Sequence, residues 1–218
     1  MLREGNRVAR AHRGEETLRD DSRFEGGPRT PGGRRKRVDA QRNLGALLDA
    51  AKGVFARSGV DAPVKEILDA AGVGAGTLYR HFPQRADLVA AVLAHEIDEC
   101  ADAGPALSAA HEPAMALSLW LKRFTEFVAT KRGLAGALHS GDPAFEALPG
   151  YFLQRLEPVV EHLITSAVGT GTIRTDVTAR DLLYAVALLC QPVPGEGVAY
   201  NLRMVEIFID GLHGPTAR

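Results

Sequence analysis

Apolar residues return along this chain at intervals of three and four. Between Asp39 and Ser58 they form the stripe Leu44, Leu47, Leu48, Ala51 and Phe55, the period of a helix with one face turned to a core. Gly59 ends that helix, since glycine takes the left-handed conformation at little cost. Pro63 begins a second, short helix, where its missing N–H does no harm, and Ile67, Leu68 and Ala71 form its inner face. The run AGVGAG interrupts. A third helix follows from about Ala75 to Phe82 and stops at Pro83, whose ring disfavours helical geometry in the residue before it. A fourth begins near Gln84 and turns Leu88, Val92 and Leu93 inward.

The same period continues to the C-terminus. Leu117, Trp120, Leu121, Phe124, Phe127 and Val128 mark a strongly amphipathic helix between Pro113 and Thr130. A longer stripe from Phe145 to Val168 includes Phe152, Leu156, Val159, Val160, Leu163 and Ile164, with Pro149 and Pro158 expected to interrupt or kink it. GTGTIRTD is a turn. Leu182, Leu183, Val186 and Leu189 predict the next helix, and Leu202, Val205, Ile209 and Leu212 the last. No run alternates with the period of two that a half-buried strand requires. The pattern predicts an all-α protein, with three short helices at the front and a larger helical body behind.

Composition narrows this picture only slightly. The chain has 218 residues, 45% of them hydrophobic and 24% charged, the balance of a globular protein with ample core. Cys100 and Cys190 lie far apart with no cysteine or histidine at ligand spacing, so neither a disulfide framework nor a zinc signature is expected. No stretch approaches the roughly 18 apolar residues that span a bilayer, and no apolar block makes the N-terminus a secretory signal. A cytoplasmic protein without a metal, a cofactor or a membrane contact is the expectation.

Charge is more informative by its distribution than by its net value of −1. Residues 1–37 carry +5, residues 38–92 are neutral, and residues 93–218 carry −6. A polyanionic partner therefore meets the front of the molecule, not the back. Residues 1–37 are rich in Arg, Glu, Asp and Gly and predict a disordered basic extension. Its last residues, RRKR from Arg34 to Arg37, suit either a solvated tail or an arm on a phosphate backbone or minor groove.

The most distinctive stretch is GVGAGTLYRHFPQRADLV, from Gly72 to Val89. Its glycines do not make a phosphate loop, because no lysine follows and no strand precedes them. They do suit the tight turn of a helix-turn-helix spanning about residues 63–82. With Leu78, Phe82 and Val73 packed inward, Ala75, Gly76, Thr77, Arg80 and His81 face outward. Small residues there permit close approach to base edges, and Thr77 can meet a phosphate or a thymine methyl. Tyr79, Arg80 and His81 offer a hydroxyl, a guanidinium and an imidazole to phosphates, and Lys65 and Arg85 flank them. Spacing alone leaves open both DNA binding and an ordinary helix pair of a bundle.

The stretch resembles the signature of the TetR family of bacterial transcriptional regulators, in which a run GV-x-x-x-(T/S)-(L/I/V)-Y-x-(H/Y)-F ends the helix-turn-helix. The likeness extends back through LLDAAKGVFARSGVDAPVKEILDAAGV and covers about Val38 to Leu93. It implies that residues 38–93 form a three-helix DNA-binding domain. Lys65, Ala75, Gly76, Thr77, Tyr79, Arg80 and His81 then hold the DNA-contacting positions, with Arg85 where a lysine is usual. Gly74 departs from the pattern, standing where a serine commonly caps the recognition helix, and the long extension before residue 38 is atypical.

The resemblance further implies that residues 94–218 form a regulatory domain that binds a small effector and makes a homodimer through its last two helices. A two-fold dimer doubles the footprint of a short recognition helix over a palindromic operator. Trp120, Phe124, Phe127, His139, Phe152 and Tyr184 are the candidate pocket residues, though each aromatic also suits plain core packing. Val186, Leu189, Val205 and Ile209 are the candidate dimer contacts. A helical enzyme is the first competing reading, but no nucleophile–base pair or ligand-spaced carboxylate cluster supports it. A non-specific DNA-compacting protein is the second, and the acidic back half argues against it.

Overall fold

A computed structural model describes residues 31–130 and 140–213, with side chains from residue 43 onward. Among these residues it holds eight α-helices: α1 Pro31–Ser58, α2 Val64–Ala71, α3 Ala75–His81, α4 Arg85–Ala110, α5 Pro113–Thr130, α6 Leu148–Gly169, α7 Ala179–Leu189 and α8 Val198–Asp210. A 3-10 turn at Pro143–Phe145 precedes α6. An isolated antiparallel bridge joins Ile173 to His213 where the turn after α6 meets the end of α8. No helix among the described residues is long and apolar enough to cross a membrane.

Helix α1 is longer than its apolar stripe. It starts at Pro31, so the basic run at 34–37 belongs to its backbone and not to an irregular tail. Proline suits a first helical position, and the Arg, Lys, Ala and Gln that follow are good helix formers. The expected disorder of residues 1–30 lies outside the described residues. Pro63 sits just ahead of α2 as its N-cap, with φ −56° and ψ 135°. Gln84 caps α4 and shares a reciprocal capping box with Asp87, whose carboxylate accepts the Gln84 N–H at 2.9 Å.

Two cores share one strut. The first gathers Leu47, Leu48, Ala51, Val54 and Phe55 of α1 with Ile67, Leu78 and Phe82 and the start of α4. The second gathers α5 through α8 around Trp120, Phe124, Leu156, Leu163 and Leu182. Helix α4 buries Leu88, Val89, Val92 and Leu93 in the first core and Ile97, Cys100 and Ala101 in the second. Phe145, expected to open the long C-terminal stripe, instead sits in the 3-10 turn and packs into the first core. Proline breaks the helical ladder at Pro105 in α4 and Pro158 in α6, yet both helices continue through it.

Candidate nucleic-acid interface and regulatory body

The turn between α2 and α3 depends on Gly72, which caps α2 in the left-handed region at φ 65° and donates its N–H to the Leu68 carbonyl. A side chain would be strained there. Val73 also donates to Leu68, at 3.3 Å, and Gly74 turns the chain extended before α3 starts. Gly74 supplies no side-chain cap, as its residue type requires. Leu78 and Phe82 are buried and Val73 is partly buried, which anchors α3 by one side.

The other side of α3 is open. Ala75, Gly76, Tyr79, Arg80 and His81 are exposed and Thr77 is partly exposed. Thr77, Arg80 and His81, at helical spacings of three and four, line one cleft of about 410 Å³ together with the Gly72–Gly74 turn and Asn43, Leu44 and Leu47 of α1. Tyr79 points elsewhere on the surface. Asn43 is a polar group the sequence reading passed over. It lies at the edge of the α1 stripe, beside Leu44, and only the packing of distant segments brings it to the cleft.

The flanking cations differ from each other. Lys65 is exposed and paired with Asp69 one helical turn away, Nζ to Oδ2 at 2.7 Å. The hydrogen bond and charge of Asp69 raise the Lys65 pKa. Arg85 does not extend toward solvent to grip a backbone from outside. Its guanidinium donates to the main-chain carbonyls of Val60 and Ala62 in the α1–α2 loop and lies 6.0 Å from the centre of the Phe55 ring. The loop carbonyls need donors and a cation at the positive end of α4 is unfavourable there, so the charge is drawn onto the loop.

In the body, Trp120, Phe124, Phe127 and Phe152 do meet, but against one another. Trp120 stacks on Phe124 at 5.4 Å between centroids, and Phe124 lies 5.9 Å from both Phe127 and Phe152. The Trp120 indole N–H donates to the Cys100 carbonyl at 2.9 Å. This stack is core packing, one of the two arrangements that the sequence left open for these aromatics. Tyr184 stands apart on α7, 52% exposed, and His139 lies outside the described residues. The open space lies between α4, α5 and α6. It is a mostly apolar cavity of about 590 Å³ lined by Gly104, Pro105, Ser108, Pro158, Val159 and His162 among others.

The expected dimer contacts also lie inward. Val186 and Val205 have no exposed surface and Ile209 is buried, all in the protomer's own core. Leu189 packs against that core. Side chains already buried have no surface left to give a partner. The apolar residues that α7 and α8 present outward include Tyr184, Leu188 and Ile207, with Leu188 70% and Ile207 61% exposed. A stripe read from spacing cannot say which of two apolar faces is the inner one. Both cysteines are buried thiols.

The family model for bacterial regulatory proteins of the tetR family matches residues 47–92. A second, for the C-terminal domain of SbtR-like transcriptional regulators, matches residues 112–214. Among solved structures, a TetR transcriptional regulator from Streptomyces coelicolor is 33% identical with a TM-score of 0.67, covering 78% of this chain and 98% of its own. A TetR transcription regulatory protein from Mycobacterium vanbaalenii is 32% identical with a TM-score of 0.63, covering 82% and 99%. The regulator FadR from Bacillus subtilis, in complex with stearoyl-CoA, shares the fold at 17% identity and a TM-score of 0.54, covering 77% and 98%. No curated protein gives a significant match.

Proposed function

The chain belongs to the TetR family of bacterial transcriptional regulators, and from that premise we propose that it is a repressor that binds a palindromic operator as a homodimer and leaves it when a small effector binds. The observation that carries the DNA contact is the shared cleft of Thr77, Arg80 and His81 beside Asn43. These side chains, with Ala75 and Gly76 leaving room at the start of α3, reach base edges and phosphates. Lys65 and Tyr79 hold the backbone on either side. Arg85 serves the same surface indirectly, by holding the α1–α2 loop.

Dimerisation uses the outward faces of α7 and α8, where Tyr184, Leu188 and Ile207 are among the apolar groups left in solvent. Burying an exposed leucine or isoleucine contributes about 1.5–3 kcal/mol, enough for a few such pairs to hold two protomers together. The two recognition helices then enter successive major grooves about 34 Å apart.

The effector enters the cavity between α4, α5 and α6. Its walls are mostly apolar, with Ser108, His162 and Ser166 as polar residues, and suit a small, mainly apolar molecule carrying a hydrogen-bonding end. A ligand wedged against Gly104 and Pro105 displaces the far half of α4. The near half carries α3 with it, and the half-site spacing is lost. Selection from random duplexes with the purified protein tests the reading. A discrete palindrome protected in footprinting supports it, while uniform protection or no complex at low salt sinks it.

A further inference from the structure

A second chemistry lies where the two cores meet, away from both the cleft and the effector cavity. His95 stands on α4 between the part that enters the first core and the part that enters the second. Its Nε2 is 3.3 Å from Asp49 Oδ1, across the gap to α1, and 3.8 Å from Glu99 Oε1, one turn along α4. One donor atom from each of the three lies within 4.8 Å of the other two. A tetrahedral ion with bonds of about 2.0–2.1 Å holds its ligand atoms roughly 3.3 Å apart. The His95–Asp49 pair is already at that separation, and a small rotation of the Glu99 side chain closes the triangle.

The surrounding charge points the same way. Lys52 lies 2.8 Å from Glu96 Oε1 and 3.5 Å from Glu99 Oε2, the oxygen not directed at His95. Arg123 donates to the main-chain carbonyl of Glu99 at 3.4 Å. Around this junction the carboxylates of Asp49, Glu96, Glu99 and Glu126 outnumber the cations of Lys52 and Arg123. With His95 neutral, two negative charges remain, the complement of one divalent ion. The Asp49 side chain is 59% exposed, so solvent can reach a fourth coordination position from that side.

We propose that Asp49, His95 and Glu99 bind a divalent first-row transition ion of the zinc class, which ties α1 to α4. The imidazole nitrogen selects such an ion over magnesium or calcium, which take oxygen ligands. One ligand comes from the first helix of the DNA-binding unit and two from the strut that reaches the regulatory body. The bound ion fixes the angle between them, so operator affinity responds to the ion as well as to the effector. The assignment rests on these three residues and stands whether or not the effector reading holds.

The test is titration of untagged, chelator-stripped full-length protein with zinc chloride alone, followed by calorimetry and by thermal unfolding. The expected result is one ion per chain and a rise of several degrees in Tm at saturation. Asp49→Asn and His95→Gln each weaken binding at least tenfold, and millimolar magnesium gives no shift. Cobalt(II) in the unmutated protein gives the visible absorption of a low-coordinate site, absent in His95→Gln. No zinc uptake at neutral pH overturns the proposal, and this is the result expected if a protonated His95 merely bridges the two carboxylates. Uptake unchanged in both variants overturns it too, since the ion then sits elsewhere. An equal shift with magnesium overturns the choice of ion.

Discussion

Val159 of α6 occupies the space where Gly104 of α4 would otherwise carry a side chain: a Cβ on Gly104 would stand 2.2 Å from Val159 Cγ1. The contact fixes how closely α4 and α6 approach, beside the cavity assigned to the effector. A buried glycine in a helix is otherwise a weak choice, costing about 1 kcal/mol relative to alanine. Here the alanine methyl meets a β-branched side chain that has one favoured rotamer in a helix and cannot swing away. Overpacking of that kind costs about 1–3 kcal/mol, so Gly104→Ala is expected to lower the chemical denaturation midpoint in spite of its better helix propensity. Adding Val159→Ala should recover part of the loss. A Gly104→Ala protein as stable as the original would show that the two helices have slack at this crossing.

Asp69 competes with DNA for Lys65. The pair is exposed and one helical turn apart, so it adds little to folding, and a phosphate can displace the carboxylate. Asp69→Asn frees the ammonium and removes an anion beside the backbone. Operator affinity at low salt is expected to rise by roughly threefold, while the slope of log affinity against log salt stays close to that of the unmutated protein. Lys65→Ala should instead weaken binding to all sequences and flatten that slope by about 1 per protomer. A gel-shift series between low and moderate salt measures both. An unchanged affinity in Asp69→Asn would place Lys65 away from the phosphates.

The sequence shows the helices, the turn at Gly72 and the two sides of α3 clearly, because each rests on local physics. A glycine must sit where φ is positive, and Leu78 and Phe82 are buried as their spacing requires. What it hides depends on packing between distant segments. Asn43 reaches the cleft only because the fold brings the start of α1 beside α3, and Phe145 enters the first core only because the turn before α6 touches α4. Arg85 looks like a backbone contact until the carbonyls of Val60 and Ala62 are placed beside it. Val186 and Leu188 are both apolar and two residues apart, and nothing local says which faces the protomer's interior. The aromatic residues of α5 predict either a pocket or a stack, and the stack wins because Phe152 of α6 completes it.

Arg85 is therefore expected to behave as a structural residue. Arg85→Ala removes charged donors from two loop carbonyls, a loss of roughly 1.5–3 kcal/mol each at most, lessened where water can replace them. The expected outcome is a lower midpoint of unfolding and weaker operator binding whose salt slope is unchanged, because no phosphate contact has been lost. Arg80→Ala should do the reverse, flattening the slope with little effect on stability. If Arg85→Ala flattens the slope and leaves stability intact, its guanidinium turns outward onto DNA.

Lys52 and Glu96 link α1 to α4 at the point where the strut leaves the first core. Glu96 is only 4% exposed and accepts from Lys52 Nζ at 2.8 Å, while the Lys52 side chain keeps 39% of its surface in solvent. Removing one partner of a fully buried pair costs about 3–5 kcal/mol. Solvent screening at Lys52 reduces that to roughly 1–3 kcal/mol for Lys52→Met. Adding Glu96→Gln should restore much of the loss by removing the stranded charge. Burial by itself lowers the Lys52 pKa, but the hydrogen bond to Glu96 and the charges of Glu96 and Glu99 together raise it above 10.5. The folded state thus holds this proton more tightly than the unfolded one, so the pair's contribution is complete below about pH 10.5 and declines as pH rises through the folded value. Urea unfolding in the presence of a chelator, between pH 7 and pH 11, should give a stability difference between the original protein and Lys52→Met that is constant at first and narrows above about 10.5. A difference that widens with pH would mean that Lys52 carries less charge in the folded protein than in the unfolded chain, the opposite of what its two carboxylate neighbours impose.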